Sequence, residues 1–210
     1  MPKPIQFLLS GIFIIQMYLA MPVIGLVYAP WALLSRDGAF AACKVYCRWV
    51  MFTARILVGL KCEIRGTPPS GEVLIAAKHQ SFLDILMIFS AVPRGKFIMK
   101  RELIWAPILG LYAKRINCVF VDRGARGTAI QKMKDDVARG AINPGQLIIY
   151  PQGTRVAPGS TRPYKAGTGV LYEQLGQPCV PVAANVGVFW PKRSLMRHRG
   201  TAVVEFLEPI

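Results

Sequence analysis

The residues able to do acid–base chemistry are few and sit at the ends of apolar runs. The chain has two histidines, His79 and His198. His198 lies in the basic stretch 192–199 and reads as part of a solvated loop. His79 directly follows the apolar run Val73-Leu74-Ile75-Ala76-Ala77 and precedes a helix candidate, the kind of junction where α/β sheets collect function. Asp84 comes five residues later. On one continuous helix, five steps turn the chain by about 140°, so the two side chains diverge. They meet only if His79 is in a loop and Asp84 points back from the first helical turns. A carboxylate accepting from one imidazole nitrogen fixes the tautomer and leaves the other nitrogen free to take a proton. That is a general base needing no protein nucleophile between itself and the substrate. Ser81 and Asp84 fit a helix capping box equally well, with His79 incidental. The residue types alone leave both readings open.

A second group is cationic. Tyr150-Pro151-Gln152-Gly153-Thr154-Arg155 leaves a buried strand candidate. Gly153 permits close backbone approach, Thr154 offers a hydroxyl, and Arg155 offers a planar fork that suits phosphate. Arg123, in Phe120-Val121-Asp122-Arg123-Gly124, and Lys100, in Lys100-Arg101-Glu102-Leu103, follow two other strand candidates in the same way. Cations at three strand ends point to an anion pocket; each one singly is an ordinary solvated loop. No GxSxG elbow and no Walker A loop is present, and Gly167-Thr168-Gly169 is too short to mark a dinucleotide site. The five cysteines, Cys43, Cys47, Cys62, Cys118 and Cys179, contain no CxxC pair. They fit neither a disulfide framework nor a metal site and read as small buried residues in a reducing compartment.

The elements that must carry these residues follow from the pattern of apolar runs. Strand candidates fall at 61–65, 72–77, 96–99, 117–121, 146–150, 179–183, 186–190 and 202–207. Helix candidates lie between them at 81–90, 102–114, 128–139 and 169–175. The clearest is 128–139, with Thr128 as N-cap, apolar Ile130, Met133 and Val137, and Gly140 as terminator. Alternation of this kind predicts an α/β fold: a single mixed sheet domain flanked by helices, spanning residues 61–210.

Residues 1–60 differ. No charged residue occurs between Lys3 and Arg36. The run 5–34 is long enough to span or deeply enter a bilayer, which takes ~20 apolar residues. Pro22, Gly25 and Pro30 predict that its second half bends or breaks. Residues 38–60 form a second helix candidate, with Lys44, Arg48 and Arg55 along one stripe, as suits a headgroup–acyl boundary. The expectation is a two-helix membrane anchor ahead of the sheet domain. Cations are dense after residue 35, so the body is expected on the cytoplasmic face of the inner membrane.

Composition agrees with this division. The 210-residue chain is 53% hydrophobic and 18% charged, yet carries a net charge of +15, with a mean hydropathy of +0.36. Disorder is excluded. A greasy, basic chain calls for an anionic surface: phospholipid, nucleic acid, or an acidic substrate or carrier. Nucleic acid is disfavoured, because no nucleic-acid motif is present and aromatics do not interleave with the cations.

Four motifs, in order across residues 78–183, make the chain resemble the glycerolipid acyltransferases. They are His79-x4-Asp84; Val119-Phe120-Val121-Asp122-Arg123; Tyr150-Pro151-Gln152-Gly153-Thr154-Arg155, where the family usually reads Phe-Pro-Glu-Gly-Thr-Arg; and Val180-Pro181-Val182-Ala183. Lys165-Ala166-Gly167 fits the Lys-x-Gly after the third motif. The resemblance implies acyl transfer from a thioester to the free hydroxyl of a lysophospholipid such as lysophosphatidate, in phospholipid biosynthesis. His79 would be the base, oriented by Asp84. Lys100, Arg123 and Arg155, with Gly153 and Thr154, would hold the acceptor phosphate. No bound cofactor or metal is implied. The donor would be acyl carrier protein or an acyl-coenzyme A, and the other partners membrane lipids. Gln152 in place of Glu leaves open another lysolipid, such as lyso-ornithine lipid, as acceptor. The alternative from a different class is a non-catalytic, membrane-anchored basic binding module.

Overall fold

The computed structural model describes residues 2–122, 135 and 144–210. Two long helices open the chain. Helix α1 runs from Lys3 to Leu34 and α2 from Arg36 to Thr53. Ser35 alone joins them and caps α2, its hydroxyl accepting from the Asp37 N–H at 3.1 Å. A single π-helical turn, Ala54–Val58, continues α2 and ends at left-handed Gly59. The third cation of the expected stripe, Arg55, therefore lies in a π turn, whereas Lys44 and Arg48 lie on α2.

Helix α1 is unbroken through Pro22 and Pro30, contrary to the expectation of a break. Each proline removes one ladder bond, but its helical φ is compatible with the element and the body grips the far end from outside. Arg115 donates to the carbonyls of Ala32 (2.8 Å) and Leu33 (3.0 Å), and the Tyr112 hydroxyl donates to that of Gly25 at 2.6 Å. A guanidinium on the last carbonyls satisfies groups that a helix end leaves orphaned.

The sheet follows: β1 Leu60–Arg65, β2 Leu74–Ala77, β3 Lys96–Lys100, β4 Val119–Val121, β5 Leu147–Ile149, β6 Cys179–Ala184 and β7 Gly200–Phe206. The strand order is β1-β7-β6-β2-β5-β3-β4. Neighbours are parallel except β6 and β7, which makes the sheet mixed, as expected. Helices α3 Leu83–Ala91, α4 Leu109–Arg115 and α5 Gly167–Leu175 complete the described elements. The central strands β2 and β5 are apolar throughout because both of their faces are covered.

Two sequence expectations are corrected. The helix expected over 102–114 is a 3-10 turn, Arg101–Trp105, followed by α4; Pro107 lies between the two pieces. The strand expected over 186–190 is a 3-10 turn, Val186–Val188. There Gly187 donates its N–H to Gln80 Oε1 at 3.0 Å, so the backbone serves a neighbouring loop and not a ladder. The helix expected over 128–139 lies outside the described residues, apart from Asp135.

One apolar core runs under the sheet and includes Phe13 and Met17 of α1 and Phe40 and Val50 of α2. The two N-terminal helices thus contribute packing to the body along their length.

Candidate active site

The mostly polar loop 78–82 leads from β2 into α3, and this turn makes the histidine–aspartate pair. His79 lies in the loop and Asp84 in the first turn of α3. The Asp84 side chain is fully buried and His79's is 13% exposed. Asp84 Oδ1 lies 2.8 Å from His79 Nδ1. Its Oδ2 accepts from the backbone N–H groups of Gln80 (2.8 Å) and Ser81 (2.7 Å), while Ser81 Oγ accepts from the Leu83 N–H at 3.2 Å. The two readings left open by the sequence are both realised by one carboxylate: one oxygen ties down the helix start and the other holds the imidazole. With Nδ1 donating to a buried carboxylate, Nε2 is the nitrogen left to accept a proton.

Tyr150, at the end of β5, stacks on the imidazole with ring centroids 4.0 Å apart and planes at 21°. Burial, and then the nearby Asp84 carboxylate, hold its phenol well above the ordinary tyrosine range, so it stays protonated. Its buried hydroxyl feels that charge, yet no described residue meets it at hydrogen-bonding geometry. The third motif includes Tyr150 but implies no role for it; its place at a strand end is the one signal the sequence offers.

His79 and Tyr150 open onto an apolar cavity of about 200 Å³. Its walls come from six elements, with Gly25 of α1, Cys43 of α2, Phe89 of α3, Ile98 of β3, Leu103 of the 3-10 turn Arg101–Trp105 and Ala113 of α4 among them. Lys100, at the end of β3, stands on the same wall, with its ammonium 2.5 Å from Glu102 Oε1. The five cysteines are free, and three of them, Cys43, Cys47 and Cys118, line this cavity. Burial pushes the Cys118 thiol up to about 12, which keeps it protonated and apolar.

The loop after Tyr150 is drawn to the histidine by its backbone. The Val156 N–H donates to the His79 carbonyl at 2.8 Å, and the Gly153 N–H to that of Tyr150 at 2.8 Å. Gly153 has φ +67, and a Cβ there would press on the Lys165 side chain at 3.0 Å. Thr154 is partly buried and Arg155 exposed, directly before the residue bonded to His79. Gln152 is 3% exposed and donates to the Arg162 carbonyl at 3.1 Å. It packs inside the loop. The structure thus joins His79 to Asp84, puts Lys100 on the same cavity, and ties the loop carrying Gly153, Thr154 and Arg155 to the histidine. Arg123 lies outside the described residues.

The Acyltransferase family model matches residues 60–185. The chain is 32% identical over 168 residues to a human 1-acyl-sn-glycerol-3-phosphate acyltransferase alpha, covering 78% of this chain and 59% of that protein. It is 30% identical over 213 residues to the 1-acyl-sn-glycerol-3-phosphate acyltransferase of Cocos nucifera, covering 98% and 69%. The Pseudomonas aeruginosa protein of that name is 26% identical, covering 76% and 63%. The chain therefore spans about six tenths of the length of the first of these relatives. The crystal structure of the 1-acyl-sn-glycerophosphate acyltransferase PlsC from Thermotoga maritima has the same fold, with a TM-score of 0.80 at 20% identity, covering 100% of this chain and 88% of that one. With more than half of its length matched by the family model, the chain belongs to the acyltransferase family.

Proposed function

We propose that this protein transfers a fatty acyl group from a thioester to the free hydroxyl of lysophosphatidate at a membrane surface. The observation that carries this reading is the buried Asp84–His79 pair opening directly onto an apolar cavity. His79 Nε2 takes the proton of the acceptor hydroxyl as its oxygen attacks the thioester carbonyl. The tetrahedral intermediate collapses, the carbon–sulfur bond breaks, and the departing thiolate takes the proton back from the imidazolium. No acyl-enzyme forms. The cavity takes the acyl chain. Lys100 and Arg155, with Arg123, Gly153 and Thr154, hold the acceptor phosphate. The donor is acyl carrier protein or an acyl-coenzyme A. The similarity to 1-acyl-sn-glycerol-3-phosphate acyltransferases supports this acceptor.

Residues 1–60 serve as the membrane anchor. Outward-facing Leu26, Val27, Leu33 and Leu34 of α1, with Trp49 and Phe52 of α2, make a surface that water does not favour. By length and composition α1 could cross a bilayer. However, it is held to the body from Gln6, bonded to Val58 and Arg197, to Leu33, bonded to Arg115. That contact runs on the order of 40 Å at 1.5 Å per residue, more than the hydrocarbon core is thick. Crossing would strip these bonds; lying in one leaflet keeps them. The body then sits on the cytoplasmic face of the inner membrane.

The test is acceptor-dependent thiol release from an acyl thioester in detergent micelles holding lysophosphatidate. His79→Ala is expected to lower the rate by ~10²–10⁴-fold. Near-normal turnover in that variant sinks the mechanism. Lyso-ornithine lipid run alongside decides the acceptor.

A further inference from the structure

We propose that the loop 191–199, clamped against the first turns of α1, is a docking surface for the anionic headgroup layer of a bilayer. It involves none of the outward-facing residues of α1 and α2 named above. The proposal extends the membrane reading above and does not depend on acyl transfer.

The loop is held by its backbone and by one buried side chain. The Arg197 N–H donates to Ser10 Oγ at 3.0 Å, and its carbonyl accepts from Gln6 Nε2 at 2.8 Å. Its guanidinium lies 4.3 Å from the Trp190 ring centroid, and Nη1 donates to the Ser194 carbonyl at 2.6 Å. The Trp190 ring packs edge-on against Phe13 of α1 at 5.4 Å and near Phe82 at 6.1 Å. Phe82 also lines the apolar cavity, so the clamp is continuous with the candidate active site. Inward-facing Arg197, 6% exposed, therefore fixes a loop that turns Lys192, Arg193, Leu195, His198 and Arg199 outward.

Those outward side chains are cationic or apolar. Lys192, Arg193, His198 and Arg199 are exposed, and Leu195 is 63% exposed. Arg199 lies across Gly59, next to the π turn that carries exposed Arg55. Beside the loop, the first turns of α1 present Lys3 and outward-facing Ile5 and Leu8. Residues 185–204 carry three arginines, one lysine and no acid, so nothing within this segment offsets the charge.

 Burial lowers the Arg197 guanidinium to about 10, which still leaves it charged at neutral pH. No described carboxylate forms an ion pair with it.

This combination selects the occupant. An acidic soluble protein would meet the cations but leave Leu195 and the α1 residues in water. A neutral apolar partner would leave the cations unmatched. A leaflet rich in anionic lipid meets both, with phosphates at the level of the cations and acyl chains at the level of the leucines.

The experiment is co-sedimentation of the full chain with vesicles of phosphatidylcholine alone and with vesicles of equal parts phosphatidylcholine and phosphatidylglycerol. Each cation near an anionic surface strengthens binding roughly fivefold, so three together contribute ~10²-fold. The triple variant Lys192→Gln, Arg193→Asn, Arg199→Gln is expected to lose most of the preference for anionic vesicles. Asn is chosen at 193 because φ there is +63. Binding to neutral vesicles and thiol release in micelles should stay at the parent level, which also shows that the variant is folded. Leu195→Ser should weaken binding to both kinds of vesicle. An unchanged anionic preference in the triple variant, or a parent chain indifferent to lipid charge, overturns the proposal. A parent chain that binds anionic vesicles but releases no thiol would instead refute the acyltransfer reading and leave this one standing.

Discussion

Asp84→Asn separates the two duties of the carboxylate. In the parent, Oδ2 accepts two backbone N–H groups and Oδ1 holds His79 Nδ1. The amide that replaces it has one oxygen and one NH₂ group. If the oxygen stays on the Gln80 and Ser81 N–H groups, the NH₂ faces Nδ1, and His79 must shift its own proton to Nε2. If the amide flips, two buried donors lose their acceptor, at ~1–3 kcal/mol each. The first arrangement avoids that penalty, so it wins. The fold is kept and the base is lost, because Nε2 now carries the proton it should accept. The expected loss in turnover is ~10²–10⁴-fold, or about 2.7–5.4 kcal/mol of barrier. Thermal unfolding followed by circular dichroism should move little. Asp84→Ala, by contrast, strands both donors and should lower stability by ~2–6 kcal/mol. Turnover of Asp84→Asn within a few-fold of the parent would refute the tautomer argument. So would an unfolded Asp84→Asn protein, since it would place the capping duty above the catalytic one.

Two other changes probe the walls of the site. Ala113→Phe adds bulk to the cavity beside α4; a panel of donors should then favour shorter acyl chains, and an unaltered chain-length profile would mean that the chain lies elsewhere. Gly153→Ala forces a side chain into φ +67 and onto Lys165. The conformation alone costs ~1–2 kcal/mol. The acceptor KM should rise more than stability falls, which a saturation curve and a melt together would show.

Much of this site was legible because its parts are local. The pair His79 and Asp84 is five residues apart, and an apolar strand before it with a helix after it constrains the geometry. What the residue types left undecided was whether the carboxylate caps or catalyses, because a carboxylate has two oxygens and each does one job. The sheet strands read clearly where β-type apolar runs are continuous, as in β2 and β5. The run at 186–190 misled because Gly187 serves Gln80 with its backbone, which no side-chain pattern records. The break before α4 was marked by Pro107, which a reading of apolar residues passed over. The cavity was not legible at all. Its walls come from six elements spread along the chain, and only the fold brings Gly25 to Ala113.

The bonds from Gln6 and Ser10 to Arg197 span 191 and 187 residues of sequence. During synthesis the first turns of α1 therefore appear long before the loop that will hold them. At 5–20 residues per second the wait is about 10–40 s. For most of that time only α2 is there to cover the inner stripe of a 32-residue apolar helix. On the proposed membrane reading, the leaflet that holds the finished protein is also the natural shelter for the nascent helix, so delivery to the membrane and completion of the fold become consecutive steps of one process.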